Sequence, residues 1–426
     1  MDNRTAKSNK IVTMYYEKAM KTKINSIIFI LIIICIINCS CDTTEPKSTG
    51  QTGEILEPKA EFTYDKYEDG LCLVKYSGNV SKITVPESVD GLKVIKIGNE
   101  AFYLTDCSSP IESVILPDTI EIIGESAFAR CTKLRYINTP ESLTEIHDGA
   151  FYGCSSLEHF TVTDDVTVLE GAFGYTAITY LYIPPHIKRI GSCMFSSTSV
   201  DFSVVPETVE IIGQGAFSDN PTITELILPE NIISIETFAF SRCPNMVSVS
   251  IHKNVSEIGN NAFSGAMLES IDVDPENPYY TSVDGVLYTK DMKTLVIYPA
   301  AKKDETFELP QNVEIICSDA FNGNLYMKEI IMHDDLKELN LNTFKGAKSL
   351  ETLTIPRGVE YLNGSVIQDC VSLRDIYIPD TIKEFDSFGA YGCKNLVLHC
   401  SENNPIYKKY IDSWLPRTYT FELDYN

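Results

Sequence analysis

Apolar residues recur along this chain with a period much longer than a helical turn or a pair of strand positions. Phenylalanines stand at Phe102, Phe128, Phe151, Phe173, Phe195, Phe217, Phe240, Phe263, Phe321 and Phe344, and all but two of the steps between them are 22 or 23 residues. Ile367 and Ala390 carry the step of 23 onward. Each period has an internal order. Leu226 and Leu228 flank Ile227 in strand-like alternation, and Pro229 closes that segment because proline cannot donate to a ladder. Ile232 and Ile235 predict a second short extended piece, Phe240 a plug beneath the turn, and Cys243 a small apolar filler. The same order returns from Leu353 to Cys370 and from Ile376 to Cys393. Units this small cannot enclose a core alone, so they must stack. The expected fold is a β-rich solenoid, a right-handed coil of about 12 turns of 22–23 residues with parallel strands ~4.8 Å apart.

Val114-Ile115-Leu116-Pro117, Ile120, Ile123-Gly124, Ala127-Phe128 and Cys131 resemble, almost letter for letter, the repeat of the BspA-like (bacterial surface antigen A-like) leucine-rich repeat proteins, L-x-x-I-x-I-P-x-x-V-x-x-I-G-x-x-A-F-x-x-C. The resemblance runs from about residue 60 to 412 and implies a leucine-rich-repeat solenoid over residues 101–400. Phe62-Thr63-Tyr64, Val80 to Pro86 and Gly91 to Ile95 look like the family's N-terminal cap, placed at residues 59–100. Asn277 to Pro299 looks like its hairpin insertion, placed at 274–309, and accounts for the long step of 58 from Phe263 to Phe321. Leu396 to Cys400 with Ile406, Tyr407, Tyr410, Ile411 and Trp414 read as a closing cap, placed at 401–426, over an edge that would otherwise stay open.

Ahead of the repeats, Met20-Lys21-Thr22-Lys23 precedes an apolar run from Ile24 to Ile37 and then Asn38-Cys39-Ser40-Cys41. A basic segment, a short apolar stretch and small residues describe a secretory signal. A cysteine just after the run resembles the lipobox of bacterial lipoproteins, in which that cysteine is acylated and begins the mature protein. Residues 1–38 are therefore read as an upstream extension and signal peptide, Cys39 (alternatively Cys41) as the lipidated residue, and 39–58 as a flexible tether. The expected location is the cell envelope or cell surface, with membrane contact through the lipid.

Charge narrows the partners. Acidic residues number 59 against 35 basic ones, a net of −24, and no basic patch follows the N-terminus. Nucleic acid is excluded as a partner on that ground. Thirteen cysteines would invite a disulfide framework, but Cys131, Cys154, Cys243, Cys370 and Cys393 share one repeat position, as buried free thiols would. The six histidines are dispersed without an H-E-x-x-H, His252 and His333 replace the strand-closing proline, and Asp272 to Asn277 reads as a turn instead of a calcium loop. No G-x-S-x-G or phosphate-cradling loop occurs, so no catalytic residue, metal or cofactor is expected.

Exposed strand positions carry the candidate site. In the phrase L-x-x-I-x-I the second and fourth residues after the leading apolar one should face outward. The aromatic and apolar members of those columns collect between Tyr136 and Ile227, and Tyr136, His159, Tyr180, Tyr182, Phe202 and Ile227 form the expected partner-binding surface. The family resemblance implies adhesion to host extracellular proteins or to other bacterial surfaces. A carbohydrate-binding surface and an envelope scaffold without a host ligand are the alternative readings.

Overall fold

The structure, a computed structural model, describes residues 61–104, 109–362, 364–385, 389–411 and 419–423. The signal segment, Cys39, Cys41, the tether and Trp414 lie outside the described residues. From Pro58 the chain forms one compact unit, a β-solenoid of about 14 mostly parallel turns. Two rows of short strands run along it. One row contains Ser113–Ile115, Tyr136–Ile137, Glu225–Ile227, Ser248–Ile251 and Thr352–Thr354, the segments closed by proline or its replacement. The other contains two-residue strands such as Ile122–Ile123, Glu145–Ile146 and Ile211–Ile212. Register is strict: Glu225, Leu226 and Ile227 pair with Ser248, Val249 and Ser250, each 23 residues on. Glycine permits the close approach where the coil steps up, because a Cβ on Gly213 would meet the Ile190 carbonyl oxygen at 2.5 Å.

The phenylalanines do what their spacing predicts. All ten are buried, and most stack on the ring one coil away, Phe128 on Phe151 at 5.5 Å and Phe217 on Phe240 at 5.6 Å. Six of them also donate from the backbone N–H to the alanine carbonyl of the next coil, as from Phe240 to Ala262 (2.7 Å), and Phe321 and Phe344 donate likewise to Thr343 and Val366 (both 2.9 Å). Two turns more than expected are explained by tyrosine in the same role. Tyr76 and Tyr298 donate the equivalent bonds to Ala101 and Ala320 (both 2.8 Å) and stack on Phe102 and Phe321. Both lack the A-F phrase that marks the other coils.

The ends are closed by different devices. At the start, Phe62–Tyr67 and Gly70–Tyr76 form an antiparallel hairpin, and its second strand pairs in parallel with Leu92–Ile97. At the finish, the helix Pro405–Ile411 buries Ile406, and the strand Tyr419–Glu422 pairs in parallel with Leu396–His399. That last strand carries no repeat phrase. Midway, Tyr280–Val283, Val286–Thr289 and Thr294–Ile297 form the inserted meander, whose last strand rejoins the short-strand row at Ile315–Ile316. Asn277, fully buried, ties this insertion down. Its amide donates to the carbonyls of His252 (2.9 Å) and Val255 (3.0 Å), and its oxygen accepts from the N–H groups of Tyr279 and Tyr280 (both 2.8 Å).

Besides the insertion, at one joint between successive coils the ladder fails on both rows. Thr167–Val168 and Arg189–Ile190 belong to different sheets, and the proline-closed row is broken from Tyr136–Ile137 to Glu225–Ile227. Among the described residues no ring contact joins Phe173 to Phe195 and no phenylalanine-to-coil bond leaves Phe173. The joint is crossed by the Tyr175 N–H bond to the Ser196 carbonyl (2.7 Å) and by the Glu170 carboxylate, which accepts from the Ser192 N–H and from Arg189. Met194 marks this joint. It stands where neighbouring coils hold Ala172 and Ala216, and its longer buried side chain takes room those coils leave for close approach.

Candidate partner-binding face

Alternation fixes which side chains the proline-closed row presents. Ile137, Leu181 and Leu226 turn inward and are buried, and their neighbours Tyr136, Tyr180 and Ile227 turn outward with 54, 64 and 73% of their surface exposed. His159 is exposed beside them. Tyr182 is partly exposed, and its hydroxyl donates to Asp164 Oδ1 at 2.5 Å. That hydrogen bond, together with the negative charge of Asp164, raises the Tyr182 phenol above its ordinary range. Sequence reasoning missed Ile115, which continues the exposed apolar positions one coil earlier and was legible as the outward residue of Val114-Ile115-Leu116. Where the ladder of this row stops, the Asn138 side chain substitutes for it, accepting from the Leu116 N–H (2.7 Å) and donating to the Leu116 carbonyl (2.9 Å).

Phe202 does not belong to this surface. It is 9% exposed and packs edge-on against Phe217 (5.2 Å) and Phe240 (5.5 Å). The cause is one residue away. Ser203 occupies the inward slot that Leu181 and Leu226 fill in neighbouring coils, so the segment abandons the strand for a 3₁₀ turn, Phe202–Val204, capped by Asp201, and places Phe202 and Val204 inward. The exposed set is therefore Tyr136, His159, Tyr180, Tyr182 and Ile227, with Ile115 added.

The histidine, acidic and cysteine positions take structural parts. His252 and His333 donate from Nε2 to the carbonyls of Pro229 (2.8 Å) and Pro310 (3.0 Å) one coil back, and Asp274 Oδ1 accepts the Glu276 N–H within the turn. Among the described residues no group of three His, Cys, Asp or Glu is placed to hold a metal ion. The repeated cysteines are free thiols that link coils. Cys154, Cys243 and Cys393 donate to the carbonyls of Phe128 (3.1 Å), Phe217 (3.2 Å) and Ile367 (3.1 Å) in the coil before. Thr176 and Thr198, at the same position beside the weak joint, bond instead to Phe173 and Phe195 of their own coils.

Burial pushes the thiols of Cys131, Cys193 and Cys317 up to about 11 and that of Cys243 up to about 12, from an ordinary value of 9. Folding therefore holds protons that the unfolded chain releases above pH 9. The associated stability is complete below that pH and is lost as pH rises through the folded values. The melting temperature should stay level from pH 7 to about 9 and fall steadily above it. A level curve to pH 11 would contradict the buried, protonated thiols.

Comparison with known proteins adds three observations. Residues 74–201, 167–282 and 300–399 match the family described as BspA type leucine rich repeat region, in six copies. A leucine rich cell surface protein from Faecalibacterium prausnitzii A2-165 is similar in structure, with 24% identity, a TM-score of 0.59, and coverage of 88% of this chain and 100% of that one. The pneumococcal vaccine antigen PcpA (21% identity, TM-score 0.48, 86% and 84% covered) and a leucine-rich repeat protein from Bacteroides ovatus ATCC 8483 (18%, 0.49, 87% and 100%) align more loosely. No curated protein matches the chain.

Proposed function

Because the chain belongs to the BspA-type leucine-rich repeat proteins, we propose that it is an exported, non-catalytic module that binds a protein partner at the bacterial surface. The observation that carries this reading is the group of exposed apolar side chains on one row, Ile115, Tyr136, Tyr180, Tyr182 and Ile227. Large aromatic and aliphatic residues held on a rigid scaffold supply contact area at little entropic cost, and such groups mark interaction sites. Support for export comes from the signal-like N-terminus and from the cell-surface description of the Faecalibacterium protein. The lipid anchor is assigned to Cys39, with Cys41 the alternative, and mass spectrometry of the mature N-terminus should find an acylated cysteine at one of them. An unmodified N-terminus, or one upstream of both, removes the anchor.

The partner face is tested by the double change Tyr180→Ser and Ile227→Ser. Both side chains are exposed, so the melting temperature should move by no more than about 2–4 °C. Binding to the partner, read on panels of host matrix proteins and of intact bacterial cells, should weaken by at least about tenfold. Equal binding by the two proteins refutes the face. Silence on both panels favours the envelope scaffold.

A further inference from the structure

Acidic residues are not spread evenly over the solenoid. Each segment of the proline-closed row runs into a turn, and these turns lie in register. The Glu141 N–H donates to Asp118 Oδ1 (3.4 Å) and the Glu230 N–H to Glu207 Oε2 (3.2 Å), in each case one coil back. Over the coils from Ile115 to Ile227 the first residue of that turn is Asp118, Glu141, Asp164, Pro185, Glu207 and Glu230, and Asp165 adds a further carboxylate. All six acids are exposed, and none forms an ion pair among the described residues. Beyond Glu230 the same column is mixed, with Lys253, Gln311 and Arg357 in it. Acids of the later coils are also matched, Glu314 by Lys293 and Lys337, Glu351 by Arg374 and Glu360 by Lys383. The unmatched ridge therefore coincides with the coils of the apolar face, and it adjoins that face directly, since the Tyr182 hydroxyl bonds to Asp164.

Carboxylates placed one per coil, about 4.8 Å apart, repel one another, and no cation of the chain offsets that repulsion. A guest that brings positive charge relieves it and is attracted, whereas an anionic guest meets it in full. The opposite edge of the face has the same sign, with Glu112 and Glu158 on either side of Arg135. The apolar side chains set the other condition. A bare polycation leaves Tyr180 and Ile227 in water, and an apolar anion is turned away. An extended segment lying between ridge and face sends alternate side chains to either side, so one strand can satisfy both. We propose that the face takes a cationic protein segment in which lysine or arginine alternates with aromatic or aliphatic residues, the cations on the ridge and the apolar groups on Tyr180 and Ile227. This rests on the partner-binding face proposed above and adds the charge and patterning of what binds there.

Fluorescence anisotropy on the full chain tests it, with labelled peptides that alternate lysine with phenylalanine, lysine with serine, and glutamate with phenylalanine. The lysine–phenylalanine peptide should bind at least about tenfold tighter than either of the others. Neutralising the ridge (Asp118→Asn, Glu141→Gln, Asp164→Asn, Glu207→Gln) keeps its hydrogen-bond acceptors and should weaken that peptide about tenfold. The Tyr180→Ser, Ile227→Ser protein should weaken it to a similar degree. Neutralising as many exposed acids of later coils (Glu308→Gln, Glu329→Gln, Asp335→Asn, Glu402→Gln) should change it by less than about twofold, because salt screens charges that far away. No binding of the lysine–phenylalanine peptide, or equal losses from the ridge and the distant set, overturns the proposal. If the glutamate–phenylalanine peptide binds as tightly and only Tyr180→Ser, Ile227→Ser weakens it, the face stands and its preference for cations falls. If the lysine–serine peptide binds as tightly and only the ridge changes weaken it, the apolar face fails and this inference fails with it.

Discussion

Replacing Asn277 with leucine should cost about 3–6 kcal/mol, more than any exposed asparagine in the solenoid. The side chain makes four hydrogen bonds while fully buried, two to carbonyls of the preceding coil and two to N–H groups at the start of the inserted meander. Leucine has the same branching and number of heavy atoms with somewhat greater bulk, so no cavity opens and the loss is chiefly one of polar partners. Each backbone group left bare in the interior costs about 1–3 kcal/mol, and shared or partial rescue keeps the total below the simple sum. Asn254 is the control. It is exposed and its amide makes a bond to the Glu230 carbonyl (2.8 Å), so Asn254→Leu should cost less than about 1 kcal/mol. The midpoint of the urea transition measures both. Similar midpoints would mean that the insertion is held by its own strands and not by this residue.

Phe217→Ala should be comparably severe, at about 3–5 kcal/mol. Phe217 is fully buried and touches three rings, 5.4 Å from Phe195, 5.2 Å from Phe202 and 5.6 Å from Phe240. Alanine leaves a hole that neighbouring rings cannot close, because each is fixed by its own stack and by its backbone bond to the next coil. In an array of stacked units the loss falls on two interfaces at once, those above and below. Tyr136→Ala, which removes a similar ring from the exposed face, should change stability by no more than about 0.5 kcal/mol. A Phe217→Ala protein as stable as the Tyr136→Ala protein would refute the continuous shared core.

Most of the architecture was readable from the positions of single residue types. Phenylalanine at a fixed step implied stacking, and proline after an alternating triplet implied where each strand closes. What escaped the reading escaped for local reasons. Tyr76 and Tyr298 act as core rings without the alanine that marks the others, so two turns went uncounted. The closing strand Tyr419–Glu422 borrows its place from Leu396–His399 and has no pattern of its own. The candidate face was legible wherever an aliphatic residue fills the inward slot, as at Leu181 and Leu226, and illegible at Phe202, where Ser203 cannot fill it. A polar residue in one core position reverses the facing of its neighbours, and only packing decides that outcome.

Met194 has a mechanical corollary. If the molecule is gripped at its two ends and stretched, neighbouring coils resist through the bonds between them, and at the step from Phe173 to Phe195, among the described residues, the ring stack and both strand ladders are missing. Rupture under load begins there and divides the array into a shorter leading segment and a longer trailing one. Within each, rings stay stacked on their neighbours over several coils, so extension arrives as discrete lengths instead of a gradual unravelling.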